Sequence, residues 1–174
     1  MQNFGSTINR PPARPRIILG IDPGYARLGW GVIEVRGSST RLVDYGTIET
    51  HLSEELPQRL AIIHQSIINI IAKYGPTEIA IEDLFFSKNV TTGLQVAMAR
   101  GVITLAAVHH TGNIYQYKPN QVKVATTGHG AADKKQMQEM VKRILGLNHI
   151  PKPDDSADAL AVAITHAVSF RLNQ

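Results

Sequence analysis

The chain has 174 residues, 43% of them apolar and none of them cysteine, with a formal net charge of +4. That length suits one domain with a sizeable core, the lack of cysteine excludes disulfides and thiolate metal sites, and no apolar run is long enough to span a membrane. The positive balance leans towards a polyanionic partner. Its basic side chains gather between Lys118 and Lys152, where seven lysines and arginines stand against only Asp133 and Glu139. Solvated helix faces are the competing explanation. The composition is compatible with a cytoplasmic location.

Residues 1–15 hold Pro11, Pro12 and Pro15 beside Arg10 and Arg14, with no periodicity and no apolar stretch of the secretory type. They predict a disordered basic arm in front of one domain over 16–174. A buried strand is predicted from Arg16 to Ile21, an apolar run that ends on Asp22-Pro23-Gly24. Gly29–Val35 reads as a second strand, with Trp30 as a packing residue, and Arg41–Thr50 as a third. The short turns between the three make them antiparallel neighbours. From 53 to 74, Leu56, Leu60, Ile63, Ile67, Ile70, Ile71 and Tyr74 recur at helical spacing, predicting a helix that Pro57 enters and Gly75-Pro76 ends.

Glu78–Ile81 is a fourth strand, ended by Glu82-Asp83, before Phe85-Phe86 and a Ser87-Lys88-Asn89 loop. Thr91–His109, rich in alanine with Gly93 and Gly101, predicts a helix small enough on one side to lie close against the sheet or a second subunit. Asn113–Lys118 is the fifth strand, and Pro119-Asn120 opens a short helix. Beyond the Gly128-His129-Gly130 loop, Asp133 with Gln136 reads as a capping box for a helix ending near Gly146. The last helix starts at Asp154 or Asp155, after Pro151 and Pro153, and runs to about Leu172. The pattern is that of an α/β protein with a five-stranded mixed sheet, three antiparallel strands followed by parallel ones, flanked by helices.

Three acidic features share one design. Asp22 and Glu82 each follow an apolar strand, where an unpaired charge is costly. Asp155 and Asp158 lie three apart in the first turn of the last helix and so share a face. First-turn acids have an ordinary explanation in the helix dipole. The combination says more: two strand ends lying side by side, with a helix start packed across them, would bring four carboxylates together. Their mutual repulsion would raise their pKa values, and a divalent cation would remove the conflict. An all-oxygen set favours Mg²⁺ or Mn²⁺, and two such ions about 4 Å apart activate a water and stabilise a leaving oxygen in phosphodiester cleavage. Asp154 falls outside the Asp-x-x-Asp register. His129 reads as an exposed loop residue, and His51, His64, His109 and His110 fit helix ends and polar faces. His166 shares Asp155's face but lies about 16 Å along the helix axis, too far for one metal site.

Gly20-Ile21-Asp22-Pro23-Gly24, followed by Gly29-Trp30-Gly31-Val32-Ile33, resembles the opening of the RuvC family, the bacterial Holliday-junction resolvases. So do Ala80-Ile81-Glu82-Asp83-Leu84-Phe85-Phe86 with Lys88-Asn89, Ala99-Arg100-Gly101, and Lys118-Pro119-Asn120-Gln121-Val122-Lys123. Asp133-Lys134-Lys135-Gln136-Met137-Gln138 and Asp155-Ser156-Ala157-Asp158-Ala159-Leu160-Ala161 complete a series that runs in order over about 16–168. The resemblance implies an RNase H-like fold, a homodimer, cooperation with the RuvA–RuvB branch-migration complex, and metal-dependent nicking of two opposed strands of a four-way DNA junction. Its expected products are 5′-phosphate and 3′-hydroxyl ends, in recombination and DNA repair. The family's four acidic ligands, for two Mg²⁺ or Mn²⁺ ions, correspond to Asp22, Glu82, Asp155 and Asp158. Its DNA-binding lysines correspond to Lys123 and Lys134. Phe85 stands where an aromatic packs against junction bases, with Phe86 as a second candidate. Lys88 and Arg100, inside the matching stretches, are further candidates for DNA contact.

The chain departs from the family pattern at Leu28, where Thr is usual, at Met137, where Val is usual, and in the His129 loop. An actin-like phosphotransferase also begins with Gly-Ile-Asp-x-Gly, but it needs a second, similar domain that this length does not supply. A non-catalytic junction-binding protein would be expected to have lost acids, and all four are here. A general nuclease of the same fold would cut duplex equally well.

Overall fold

The computed structural model describes residues 14–83 and 90–172. Most of the basic arm, and Phe85, Phe86 and Lys88, lie outside the described residues. The elements in chain order are β1 (Arg16–Asp22), β2 (Arg27–Arg36), β3 (Ser39–Glu49), α1 (Leu56–Tyr74), β4 (Glu78–Glu82), α2 (Val90–His110), β5 (Ile114–Tyr117), α3 (Pro119–Thr127), α4 (Lys134–Ile144) and α5 (Asp154–Leu172). The sheet order is β3-β2-β1-β4-β5. β1 is antiparallel to β2, and β2 to β3, while β1–β4 and β4–β5 are parallel. The expected mixed sheet is therefore present.

Helices cover both faces of this sheet, which explains the unbroken apolar runs in β1 and β4. Leu19, Ile21, Ile79 and Ile81 point to one side, into a core shared with Ile63 and Ile67 of α1 and Ile103 of α2. Ile18 and Ala80 point to the other, against Val122 of α3, Val141 of α4 and Leu160 of α5. Each such aliphatic side chain contributes about 1.5–3 kcal/mol when fully buried. Leu28, the departure from the usual Thr, is completely buried in the first of these cores. Trp30 packs beside Tyr74, ring centroids 5.8 Å apart, as its setting predicted.

Local signals in the sequence account for the helix limits. Pro57 stands in the first turn of α1, and Gly75 ends it at φ 54°, its N–H bonding Ile71 O at 2.9 Å. Asp133 and Gln136 form the reciprocal capping box of α4. The strands run slightly further than their apolar cores. β1 and β4 include Asp22 and Glu82 as their last residues, β2 begins at Arg27 rather than Gly29, and α1 begins at Leu56 rather than residue 53.

α5 is apolar on every side over Ala159–Ala163 and lies across the sheet. Two glycines let it come that close. A Cβ on Gly20 would stand 2.2 Å from Ala159 O, and one on Gly29 would stand 1.9 Å from Asp155 O. α2 has two characters. Ala99, Ile103, Ala106 and Ala107 are buried, whereas Leu94, Met98, Leu105 and Val108 are exposed along its outer side.

Candidate active site

Parallel pairing of β1 with β4 places Ile21 opposite Ile81, so Asp22 and Glu82 emerge as neighbours at one sheet end. The antiparallel partner of Asp22 is Gly29, the residue on which the first turn of α5 rests through the Asp155 backbone. Backbone contact alone thus delivers Asp155, and one turn later Asp158, to the strand ends that carry Asp22 and Glu82. The four acids named from the sequence meet at one place. Asp154, on the outer side of the same turn, pairs with Lys152 Nζ at 2.6 Å.

The electrostatics of this cluster are those of acids held against their preference. Burial is the main force pushing the Asp22 carboxyl well above the usual range, with the charges of Glu82, Asp158 and Asp155 adding to it. A hydrogen bond between the two side chains raises Asp22 further and works to lower Glu82. Glu82 is also raised, first by burial and then by Asp158, against the lowering effect of Lys123. Burial raises Asp158 in turn, opposed by its bond to Lys134. Lys134 Nζ lies 3.1 Å from Asp158 Oδ2, and Arg27 Nη1 lies 3.7 Å from Asp155 Oδ2.

Among the described residues no three of these acids are already drawn around one point, as ligands of a bound ion are. Asp22 is hydrogen-bonded to Glu82, and the Lys134 ammonium holds Asp158. Asp158 Oδ1, however, is buried without any hydrogen-bond partner. An orphaned carboxylate oxygen among crowded acids and an all-oxygen donor set fit a hard divalent cation. A cavity of roughly 270 Å³ opens beside them, lined by Glu82, Val122, Lys123, Lys134, Met137 and Asp158. A larger one, roughly 400 Å³ between the His129 loop and α4, contains none of the four acids.

The remaining sequence candidates are placed as follows. Lys123 and Lys134 share the acidic cavity. Arg100, only 20% exposed, is directed at Asp83 Oδ1 at 3.1 Å. His129 is exposed in its loop, as read. His166 lies at the opposite sheet end, where its Nε2 donates to Glu78 Oε2 at 2.5 Å and its Nδ1 accepts from the Tyr117 hydroxyl at 2.7 Å. Arg16 clasps the same Glu78 with two hydrogen bonds, and the Tyr115 ring stacks on His166 at 4.1 Å. Sequence reasoning missed this assembly, and it missed Arg27 beside Asp155. The starts of β1 and β4 held the clue, since strands whose ends adjoin also have adjoining beginnings.

Residues 18–166 match the family model described as Crossover junction endodeoxyribonuclease RuvC. The chain belongs to the RuvC family. A curated RuvC from Halothermothrix orenii is 52% identical over 158 residues, which cover 91% of this chain and 96% of that one. A RuvC from Rubrobacter xylanophilus is 48% identical over 158 residues, 91% of this chain and 88% of its own. Among solved structures, Thermus thermophilus RuvC in complex with a Holliday junction substrate superimposes with a TM-score of 0.86 at 36% identity, covering 91% of this chain and 96% of that one. The yeast mitochondrial Holliday junction resolvase Ydc2, at 15% identity and a TM-score of 0.65, shares the fold. The fold is RNase H-like, and membership of RuvC makes this chain an endodeoxyribonuclease. All four acids lie inside the matched span.

Proposed function

We propose that this protein is a Holliday-junction resolvase that nicks two opposed strands of a four-way DNA junction. The carrying observation is the meeting of Asp22, Glu82, Asp155 and Asp158 at one sheet end in a chain of the RuvC family. These four carboxylates would hold two Mg²⁺ or Mn²⁺ ions, which when bound would neutralise the clustered charge and supply Lewis-acid assistance to attack of water on phosphorus. Hydrolysis of the P–O3′ bond leaves a 5′-phosphate and a 3′-hydroxyl.

The chain's own residues bind and orient the substrate. Lys123, beside Glu82, and Lys134, beside Asp158, take backbone phosphates next to the acids, where a cation acts at short range. Phe85 and Phe86 stack on junction bases, a contact that contributes about 1–3 kcal/mol per base. Lys88 and Arg100 complete the DNA-contacting set, with the Arg100–Asp83 pair bracing the residue that follows Glu82. Burial of Asp22 keeps bulk water from screening the site.

Two symmetric nicks require two sites, and the reading is of a homodimer. The exposed stripe of Leu94, Met98, Leu105 and Val108 on α2, with Gly101 open between them, is the surface that supports it. Leu105→Glu combined with Val108→Glu is expected to give a monomer in sedimentation. The protein would act in the cytoplasm with RuvA–RuvB during recombination and repair, its domain spanning 16–174 behind a basic arm. The decisive experiment compares cleavage of a synthetic four-way junction with a matched linear duplex, with Mg²⁺ and Mn²⁺ in parallel. Junction-selective paired nicking is the expected result. Equal cutting of the duplex overturns the reading in favour of a general nuclease.

A further inference from the structure

Asp154 lies outside the set of four acids, yet it faces the same lysine as one of them. Lys134 Nζ stands 3.1 Å from Asp158 Oδ2 and 3.7 Å from Asp154 Oδ2. The two carboxylates are one helical turn apart on α5, and Lys134 reaches them from the first turn of α4. The second Asp154 oxygen, Oδ1, is held by Lys152 Nζ at 2.6 Å. Asp154 is therefore anchored from outside while its inner oxygen stays within reach of Lys134. The side chains differ in surroundings, Asp158 being 19% exposed and Asp154 43%.

A divalent cation taken up through Asp158, whose Oδ1 has no partner, would stand on the same carboxylate as Lys134 Nζ. Two positive charges that close repel, so loading the site pushes the ammonium outwards. A lysine stem is long and flexible, and its ammonium needs a new counter-charge in a half-buried setting. Asp154 Oδ2 offers one with little movement of the chain. We infer that Asp154 is a positioning residue acting through Lys134, the carboxylate that receives the ammonium when a divalent cation takes Asp158. Asp154 then favours metal uptake without touching the metal, and it keeps Lys134 at the edge of the cavity for a DNA phosphate.

This inference rests on the reading of Asp158 as a metal ligand, and the test separates the two. Mn²⁺ binding to the full-length, DNA-free protein is measured by electron paramagnetic resonance of the unbound ion. Lys134→Met should tighten Mn²⁺ binding by about three- to tenfold, because the competing charge is gone. Asp154→Asn should weaken it by a similar factor in the wild-type background and by less than about twofold in the Lys134→Met background, a coupling of the size seen between interacting neighbours. Asp154→Glu should restore most of the loss. An equal effect of Asp154→Asn in both backgrounds overturns the inference, because the carboxylate then acts through its charge alone. No effect in either background overturns it as well. Asp22→Asn serves as the control for the underlying reading. If it abolishes Mn²⁺ binding while Asp154→Asn is silent, only the inference fails. Wild-type protein that takes up no Mn²⁺ removes both.

Discussion

β1, β4 and α5 each carry acids or their partners at both ends of the same pair of strands, and the two ends are treated in opposite ways. At the start of the strands Glu78 is clasped by Arg16 and bonded by His166, which Tyr117 holds in turn. At the far end Asp22, Glu82, Asp155 and Asp158 face one another, with Lys123, Lys134 and Arg27 near by among the described residues. Burial pushes up Glu78 at one end and Asp22, Glu82 and Asp158 at the other. At Glu78 the Arg16 and His166 bonds outweigh it and the group ends below its ordinary range, whereas at Asp22 every neighbouring acid adds to it. A buried acid whose partners are built in serves the fold. Buried acids left facing each other are a cost to the fold that a ligand removes, and perturbed carboxyls of this kind mark functional sites.

Exchanging an acid for its amide should break this contrast with opposite signs at the two ends. Asp22→Asn should lower junction cleavage by at least about a hundredfold, the scale for removing a charge that stabilises the transition state. The same variant without metal should melt higher, by about 1 kcal/mol at the midpoint, because one repelling group is gone. Cleavage at the wild-type rate would dismiss the metal reading of Asp22. Glu78→Gln should do the reverse. It leaves Arg16 and His166 without their shared anion, for a loss of about 2–3 kcal/mol in a denaturant melt, while cleavage per folded molecule stays near wild type.

Acid should sharpen the contrast next. His166 is lowered from 6.5, mainly by burial and against the pull of Glu78, and Glu78 is lowered from 4.5. Both groups bind protons more readily in the unfolded chain, so the stability they contribute is complete above 6.5 and declines as pH falls, first through His166 and then, below 4.5, through Glu78. Melting temperature followed from pH 7.5 to 4 should fall along this course, and His166→Gln should flatten its upper part. The smallest effect belongs to Lys123→Ala. Junction affinity should drop a few-fold, and the slope of log affinity against log salt should shrink by about one.

Much of the active end was legible in the sequence because its signals are local. Apolar runs that stop on an acid fixed where Asp22 and Glu82 lie, and Asp155 and Asp158 share a face by spacing alone. The clasp at the other end was not legible. Arg16, Glu78 and His166 come from three distant segments, and nothing in the local pattern of any one of them announces the others. The same holds for Gly20 and Gly29, which read as strand residues and whose missing side chains matter only once α5 lies on them. Helical rise set His166 apart from the four acids, but its partners Glu78 and Tyr117 required the register of β1 against β4. Lys134 was read as a phosphate ligand from family likeness alone. Its double hold on Asp158 and Asp154 depends on how α4 docks against α5.

The seat of Asp155 on Gly29 has a further consequence, in the order of events during synthesis. Asp22 leaves the ribosome long before Asp158, and the helix that carries Asp158 rests on strands made earlier. A chain without α5 would carry Asp22 and Glu82 but neither Asp155 nor Asp158, and it is expected to cut no junction.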